Sequence, residues 1–273
     1  MPLRPTFTGG IAIFIALTGA AHSEVSPLDL VEPVADYKIF VSERLEKLVV
    51  DAKAFTDAIK AGNLDKAKSL YGPARVNYET IEPIAELFND LDNNIDSRAD
   101  DHEKREEDPD FRGFHRLEYG LFARNSLVGL PPIADKLMED ILDLRKRVAD
   151  LTLPPDKVVG GAAELLEEVA AKKISGEEDR YAHTDLWDFR ANVDGAQKIF
   201  DLTRGLIEKS DGAFVAKVAK NFATVDRTLD KYKKANGYET YEKLSDRDRK
   251  VLAAAVNTLA EDLSTLRGKL GLD

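Results

Sequence analysis

The chain has no cysteine. A disulfide framework, a thiolate metal site, a cysteine nucleophile and a lipidated cysteine are therefore all excluded. Methionine is nearly absent too: there are 2, at Met1 and Met138. A thioether site for copper(I) is thus not expected. Long apolar runs are missing apart from Ile11–Leu17, which is too short to span a bilayer. Runs of alternating β-branched residues are missing as well, so strands are not expected. Basic residues are in deficit, with 39 Lys and Arg against 50 Asp and Glu for a net charge of −11. A free nucleic-acid binder usually carries the opposite sign, and no nucleic-acid partner is expected. No phosphate loop, dinucleotide fingerprint or G-x-S-x-G elbow is found.

What remains is an ordinary globular composition: 273 residues, 43% apolar and 33% charged. That length is enough to bury a substantial core, and the charge suits helical surfaces laced with ion pairs. Arg4, the apolar stretch and the small residues up to Ala21-His22-Ser23 have the layout of a cleaved secretory signal peptide over residues 1–23. The expected destination is the periplasm or the cell surface, without a lipid anchor. Residues 24–273 would then form the mature chain, with His102, His115 and His183 as its histidines.

The mature chain reads as all-α. Leu45, Leu48, Val49, Ala52, Phe55 and Ile59 make one amphipathic stripe, with Gly62 as its stop. Further helices are expected over 64–71, around Val76–Phe88, over 114–122, after Pro131-Pro132, after Pro154-Pro155, over 185–209 and over 214–234. The last carries Leu252, Val256, Leu259, Leu263, Leu266 and Leu270 at near-heptad spacing. This pattern suggests two antiparallel four-helix bundles packed together, at about 24–152 and 153–273.

Chemistry concentrates in four places. His115 and Glu118 are three apart, so on a helix their Cβ atoms share a face about 5–6 Å from each other and can reach one cation. Glu79 and Glu82 repeat that spacing just before Pro83, which inside a helix would free the Glu79 carbonyl. The segment 90–110 holds ten acids against three basic residues. There Asp92, Asn94, Asp96, Asp100 and Glu103 match five positions of a helix–loop–helix calcium loop, but Ser97 stands where the turn glycine belongs. A solvated acidic loop lending one or two carboxylates to a site is the better reading. A second polar run, Gly176–Asp185, contains Glu177, Glu178, Asp179, Tyr181 and His183 and ends beside Trp187. Should these segments meet, carboxylates with one or two imidazoles would suit iron, manganese, zinc or calcium.

Several of these segments, taken in order, resemble the imelysin-like domain of EfeO and EfeM proteins. They are Tyr78-Glu79-Thr80-Ile81-Glu82-Pro83, Asp96–Asp101, Gly113-Phe114-His115-Arg116-Leu117-Glu118, Gly176-Glu177-Glu178, Tyr181–Phe189 and Ala191–Ala196. The resemblance covers nearly all of residues 24–273 and implies a periplasmic metal-binding role tied to iron uptake, with a membrane iron permease as partner. Longer EfeO members add a cupredoxin-like domain, so the short EfeM type is expected. Carried over by position, His115, Glu118, Glu82, Asp96 and Glu178 are the implied metal ligands, with Glu79 and His183 beside them.

Two other functions are compatible with the residues. One is binding of an acidic polysaccharide such as alginate, a property of a cell-surface member of this family. Lys231, Tyr232, Lys233 and Lys234, with Tyr238 and Tyr241, are its candidate patch, although the same lysines suit a solvated helix end. Removing residues 1–23 takes one Arg, leaving 38 basic against 50 acidic side chains, and that −12 opposes a polyuronate at long range. The other is a zinc metallopeptidase, which needs an open coordination position and a general base. The H-E-x-x-H signature is absent, so no catalytic residue is assigned.

Overall fold

The computed structural model describes residues 25–272. The expected signal peptide at 1–23 lies outside them. Ten α-helices account for most of the described chain. They are α1 (Val31–Lys60), α2 (Leu64–Glu79), α3 (Glu82–Ala85), α4 (Asn89–Asp96), α5 (Gly113–Glu118), α6 (Leu130–Asp150), α7 (Pro155–Ala171), α8 (Asp185–Leu229), α9 (Asp246–Ser264) and α10 (Leu266–Lys269). Among the described residues the fold is all-α apart from one hairpin with two residues per strand, β1 (Lys233–Lys234) antiparallel to β2 (Gly237–Tyr238). Asn236-Gly237 is a turn signal at that hairpin, but two residues per strand are too few for an alternating pattern.

The helices form where apolar spacing follows the helical period. On α1, Tyr37, Val41, Leu45, Leu48, Ala52, Phe55 and Ile59 are all buried, at steps of three and four. Asn63 caps α2 by accepting the Lys66 N–H, and Ser245 caps α9 in the same way through the Asp248 N–H. α1 packs against α2 and α6, while α7 packs against α8 and α9. α6 and α7 are separated by the non-helical residues 151–154. α2 also packs against α8, and a single apolar core runs from Leu30 to Leu270 through both halves.

Three local departures from the sequence reading matter for the site. Pro83 does not kink a helix interior: α2 stops at Glu79, and Pro83 sits in the first turn of α3, where its missing N–H costs nothing. Asp92, Asn94 and Asp96 lie on helix α4 rather than in a calcium-type loop. The break expected between residues 209 and 214 is a single non-helical residue, Asp211 (φ −146°, ψ 64°), whose carboxylate accepts the Phe214 N–H and restarts the helix.

Candidate metal centre

Both halves of the chain send polar side chains into one buried cluster. From the first half come Arg75 and Glu79 on α2, Glu82 on α3, Asp96 at the end of α4, and His115 and Glu118 on α5. From the second come Lys173, Glu178 and Asp179 of the connection after α7, then Asp185, Asp188 and Asn192 on the first turns of α8. All but Asp96 are fully buried, and the Asp96 side chain is 11% exposed. Two glycines allow the close approach. A Cβ on Gly113 would lie 2.3 Å from the Ile95 carbonyl oxygen, so glycine is needed where α5 starts against α4. A Cβ on Gly195 would lie 2.3 Å from the Thr80 oxygen, so glycine lets α8 settle on the end of α2.

At the centre stands His115. Its Nδ1 is 3.2 Å from Glu118 Oε2. Glu118 is itself fixed, since its Oε1 accepts the backbone N–H groups of Tyr181 (2.7 Å) and Ala182 (2.8 Å). A carboxylate that holds one ring nitrogen orients the other, which is how proteins aim a histidine at a metal. The other nitrogen, Nε2, is buried and has no hydrogen-bond partner. It lies 3.6 Å from Asp96 Oδ1 and 3.6 Å from Glu178 Oε1. These three ligand atoms lie within 4.8 Å of one another, close enough to share one ion. A cavity of about 10 Å³, lined by Arg98, Phe111, His115, Glu118, Glu178 and Tyr181 among others, reaches this point.

Around this trio the charges interlock. Arg75 donates to Asp96 (2.6 Å), Glu79 (2.5 Å), Asp188 (3.1 Å) and Glu178 (3.1 Å). Arg98 donates to Glu178 Oε2 at 2.7 Å from the rim. Lys173 Nζ donates to Glu79 (2.6 Å) and Glu82 (3.1 Å), and Asn192 donates to the same two carboxylates. Tyr71 donates to Asp179 at 2.9 Å, and the Thr184 hydroxyl also bonds Asp179. Eight carboxylates (residues 79, 82, 96, 118, 178, 179, 185 and 188) thus face three cationic side chains, Arg75, Lys173 and Arg98. Burying unpaired charge is costly, so such an excess must be met by protons or by a cation.

Proton affinities follow this imbalance. Burial, only partly offset by Arg75, raises Asp96 to about 7. Burial and the charge of Asp179 raise Asp185 to about 7, and burial lifts Asp188 and Glu82 well above the ordinary range. Burial and Arg75 oppose a charge on His115, but the hydrogen bond to Glu118 and the nearby carboxylates of Glu178 and Asp96 outweigh them and raise it to about 10. Glu178 runs the other way: burial would raise it, yet Lys173, His115 and Arg75 together hold it well below the usual range. Several protons therefore sit where a cation would relieve the same repulsion.

The structure brings His115, Glu118, Asp96 and Glu178 together. Glu79 and Glu82 lie next to them but are gathered around Lys173. His183, expected near the centre, is 40% exposed and 3.6 Å from Glu242; its backbone is left-handed (φ 57°) and its N–H bonds Asp179 O. The lysines of the basic stretch pair elsewhere: Lys231 pairs with Asp248 at 2.7 Å, Lys234 pairs with Glu239 at 2.6 Å, and Tyr232 donates to Asp248. Its companion Tyr238 packs edge-on against Trp187, and the Tyr241 hydroxyl bonds the Ile174 carbonyl. Sequence reasoning singled out the run that holds Asp179 and Asp185 without naming either as a ligand, and it missed Arg75, Lys173, Asp188 and Asn192 as members of the cluster. Arg75 and Glu79 are four apart on α2, as are Asp188 and Asn192 on α8, a spacing that hints at shared faces. Lys173 carries no such signal.

Comparison with known proteins places the sequence in a family. The chain is 64% identical over 255 residues to the iron uptake system component EfeM of Pseudomonas syringae pv. syringae, an alignment covering 93% of this chain and 90% of that protein. It is 55% identical over 265 residues to the iron uptake system component EfeO of Yersinia pestis, covering 97% and 70%. With the EfeO of Escherichia coli strain K12 it shares 55% over 258 residues, covering 94% and 68%. The sequence profile of the imelysin family matches residues 33–266, which takes in every side chain of the buried cluster, and the chain belongs to that family.

Proposed function

We propose that this protein binds a metal ion through His115 Nε2, Asp96 and Glu178, and that it is the metal-binding component of a periplasmic iron-uptake system. The observation that carries this reading is the unpartnered, buried Nε2 of His115, held by Glu118 and facing two carboxylates 3.6 Å away. An oxygen-rich set with one imidazole suits ferric or ferrous iron and also manganese or zinc. The relatives named as iron uptake components favour iron among these, as cargo rather than as a resident cofactor. A component of an uptake system hands its cargo on, so a membrane iron permease is the partner this role implies. No helix among the described residues is long and apolar enough to cross a membrane.

We read the protein as a binder rather than a peptidase. Both oxygens of Glu118, the acid nearest the ring, are already bonded, to His115 and to two backbone N–H groups, so it is poorly placed to act as a general base. The basic stretch at 231–234 supports no separate glycan reading, since two of its three lysines are paired with acids.

The test is anaerobic titration with iron(II), and titration with zinc(II), of the chain and its His115→Ala variant. The wild type is expected to take up an ion that the variant binds at least about 100-fold more weakly, with the helical circular dichroism unchanged. Equal uptake by both would place the ion elsewhere.

A further inference from the structure

Lys173 is an unusual member of the cluster. Lysine is almost never fully buried, yet here its side chain is 1% exposed. It lies in the single 3₁₀ turn Lys173–Ser175 that follows α7, and Gly176 next to it takes a left-handed backbone (φ 81°). Its ammonium is ringed by carboxylates of three segments: Glu79 Oε2 at 2.6 Å, Glu82 Oε2 at 3.1 Å and Oε1 at 3.3 Å, and Glu178 Oε1 at 3.7 Å. Asn192 adds a buried oxygen, Oδ1, with no partner of its own. Glu178 Oε1 belongs to both neighbourhoods, for the same atom lies 3.6 Å from His115 Nε2. A shared carboxylate between two cation positions is the usual geometry of paired metal sites, whose ions sit about 3.5–4 Å apart. Here one of the two positions holds a side-chain ammonium.

We propose that Lys173 is a tethered cation occupying a second metal position, built from Glu79, Glu82 and Glu178, and that it limits the chain to one ion, at the His115 centre. The second position rests on its own carboxylates. Only the identity of its neighbour rests on the His115 reading. The side chain neutralises the second set permanently, and its charge also opposes an ion on the far side of Glu178. A bound ion is then held less tightly, which suits a protein that must release its cargo. Replacing the ammonium by a neutral side chain of similar length leaves three carboxylates facing one another across the space it filled, and a divalent ion answers that charge.

The experiment compares the full chain, Lys173→Met and the double variant Lys173→Met/Glu82→Gln. Each is stripped with chelator and titrated with zinc(II) alone, with metal content measured after gel filtration. Lys173→Met is expected to hold one zinc more than the wild type, and the double variant to lose that extra ion. A folded Lys173→Met chain that binds no more zinc than the wild type overturns the proposal. So does an extra ion that survives Glu82→Gln. Should Lys173→Met be unfolded without metal, zinc-dependent recovery of its helical signal takes the place of the titration. Recovery that needs one equivalent more than the wild type takes up supports the assignment, and recovery that needs no more than the wild type takes up, or no recovery, overturns it. A wild type that takes up no ion sinks the His115 reading alone, because the Lys173 assignment is then judged on whether the variant gains a single ion that Glu82→Gln removes.

Discussion

The buried cluster and the surface around the β1–β2 hairpin are made of the same residue types, lysines, acids and tyrosines, yet they behave as opposites. At the surface the paired charges are also exposed to solvent: Lys231, 55% exposed, meets Asp248, and Lys234, 56% exposed, meets Glu239. Such pairs contribute little, because solvent already satisfies both ions. In the cluster, Arg75 is wholly buried and is shared among five carboxylates. There every group depends on its neighbours, since water is excluded and an unmet charge is expensive. Composition cannot separate the two regions, but dependence on partners can.

The largest expected effect comes from removing the hub. Arg75→Met should cost the metal-free protein about 3–5 kcal/mol in chemical denaturation, the usual penalty for leaving a buried ion pair half broken, and added zinc should recover part of it. Next comes the group that aims the ring. Glu118→Gln should weaken zinc binding by about 10–100-fold, as loss of a partner that orients a metal-binding histidine does. An unchanged affinity would mean that packing alone orients His115.

The pH dependence has a definite sign. Asp96 titrates at about 7 and His115 at about 10 in the metal-free protein, and both must lose their protons to ligate. Zinc affinity should therefore rise between pH 6 and pH 9, and calorimetry in buffers of different ionisation enthalpy should record proton release on binding. Stability of the metal-free chain should run the other way. The His115 contribution is complete below its ordinary value of 6.5 and is lost as pH climbs through about 10. The Asp96 contribution is likewise greatest while the acid is protonated, and it fades as pH rises from 3.8 through about 7. A metal-free chain that gains stability with pH over this range would contradict the charge balance described for the cluster. The smallest effect belongs to the surface: Lys233→Ala should shift stability by no more than about 0.5 kcal/mol and leave zinc binding untouched.

Much of the architecture was legible in the residues. The apolar spacing on α1, its stop at Gly62 and the break between residues 209 and 214 are local matters, decided by which side chains recur every third or fourth position and where that recurrence ends. The H-x-x-E spacing likewise puts His115 and Glu118 on one face, and they meet at 3.2 Å. Pro83 shows the limit of such reasoning. A proline four residues past the end of one helix and one inside it look alike until the preceding turn is known, and the structure puts Pro83 at a helix start.

The sequence alone determined the all-α class, most of the long helices and the pairing of neighbours a turn apart, because those depend on backbone periodicity. Only the tertiary structure decided that Arg75, Lys173, Asp179 and Asp188 share one dry space with His115, since their separations of up to 113 positions along the chain carry no local signature. It also decided which carboxylates face the imidazole and which face an ammonium. That choice depends on distances of a few ångströms between helices, where exclusion of water turns ordinary charges into a site.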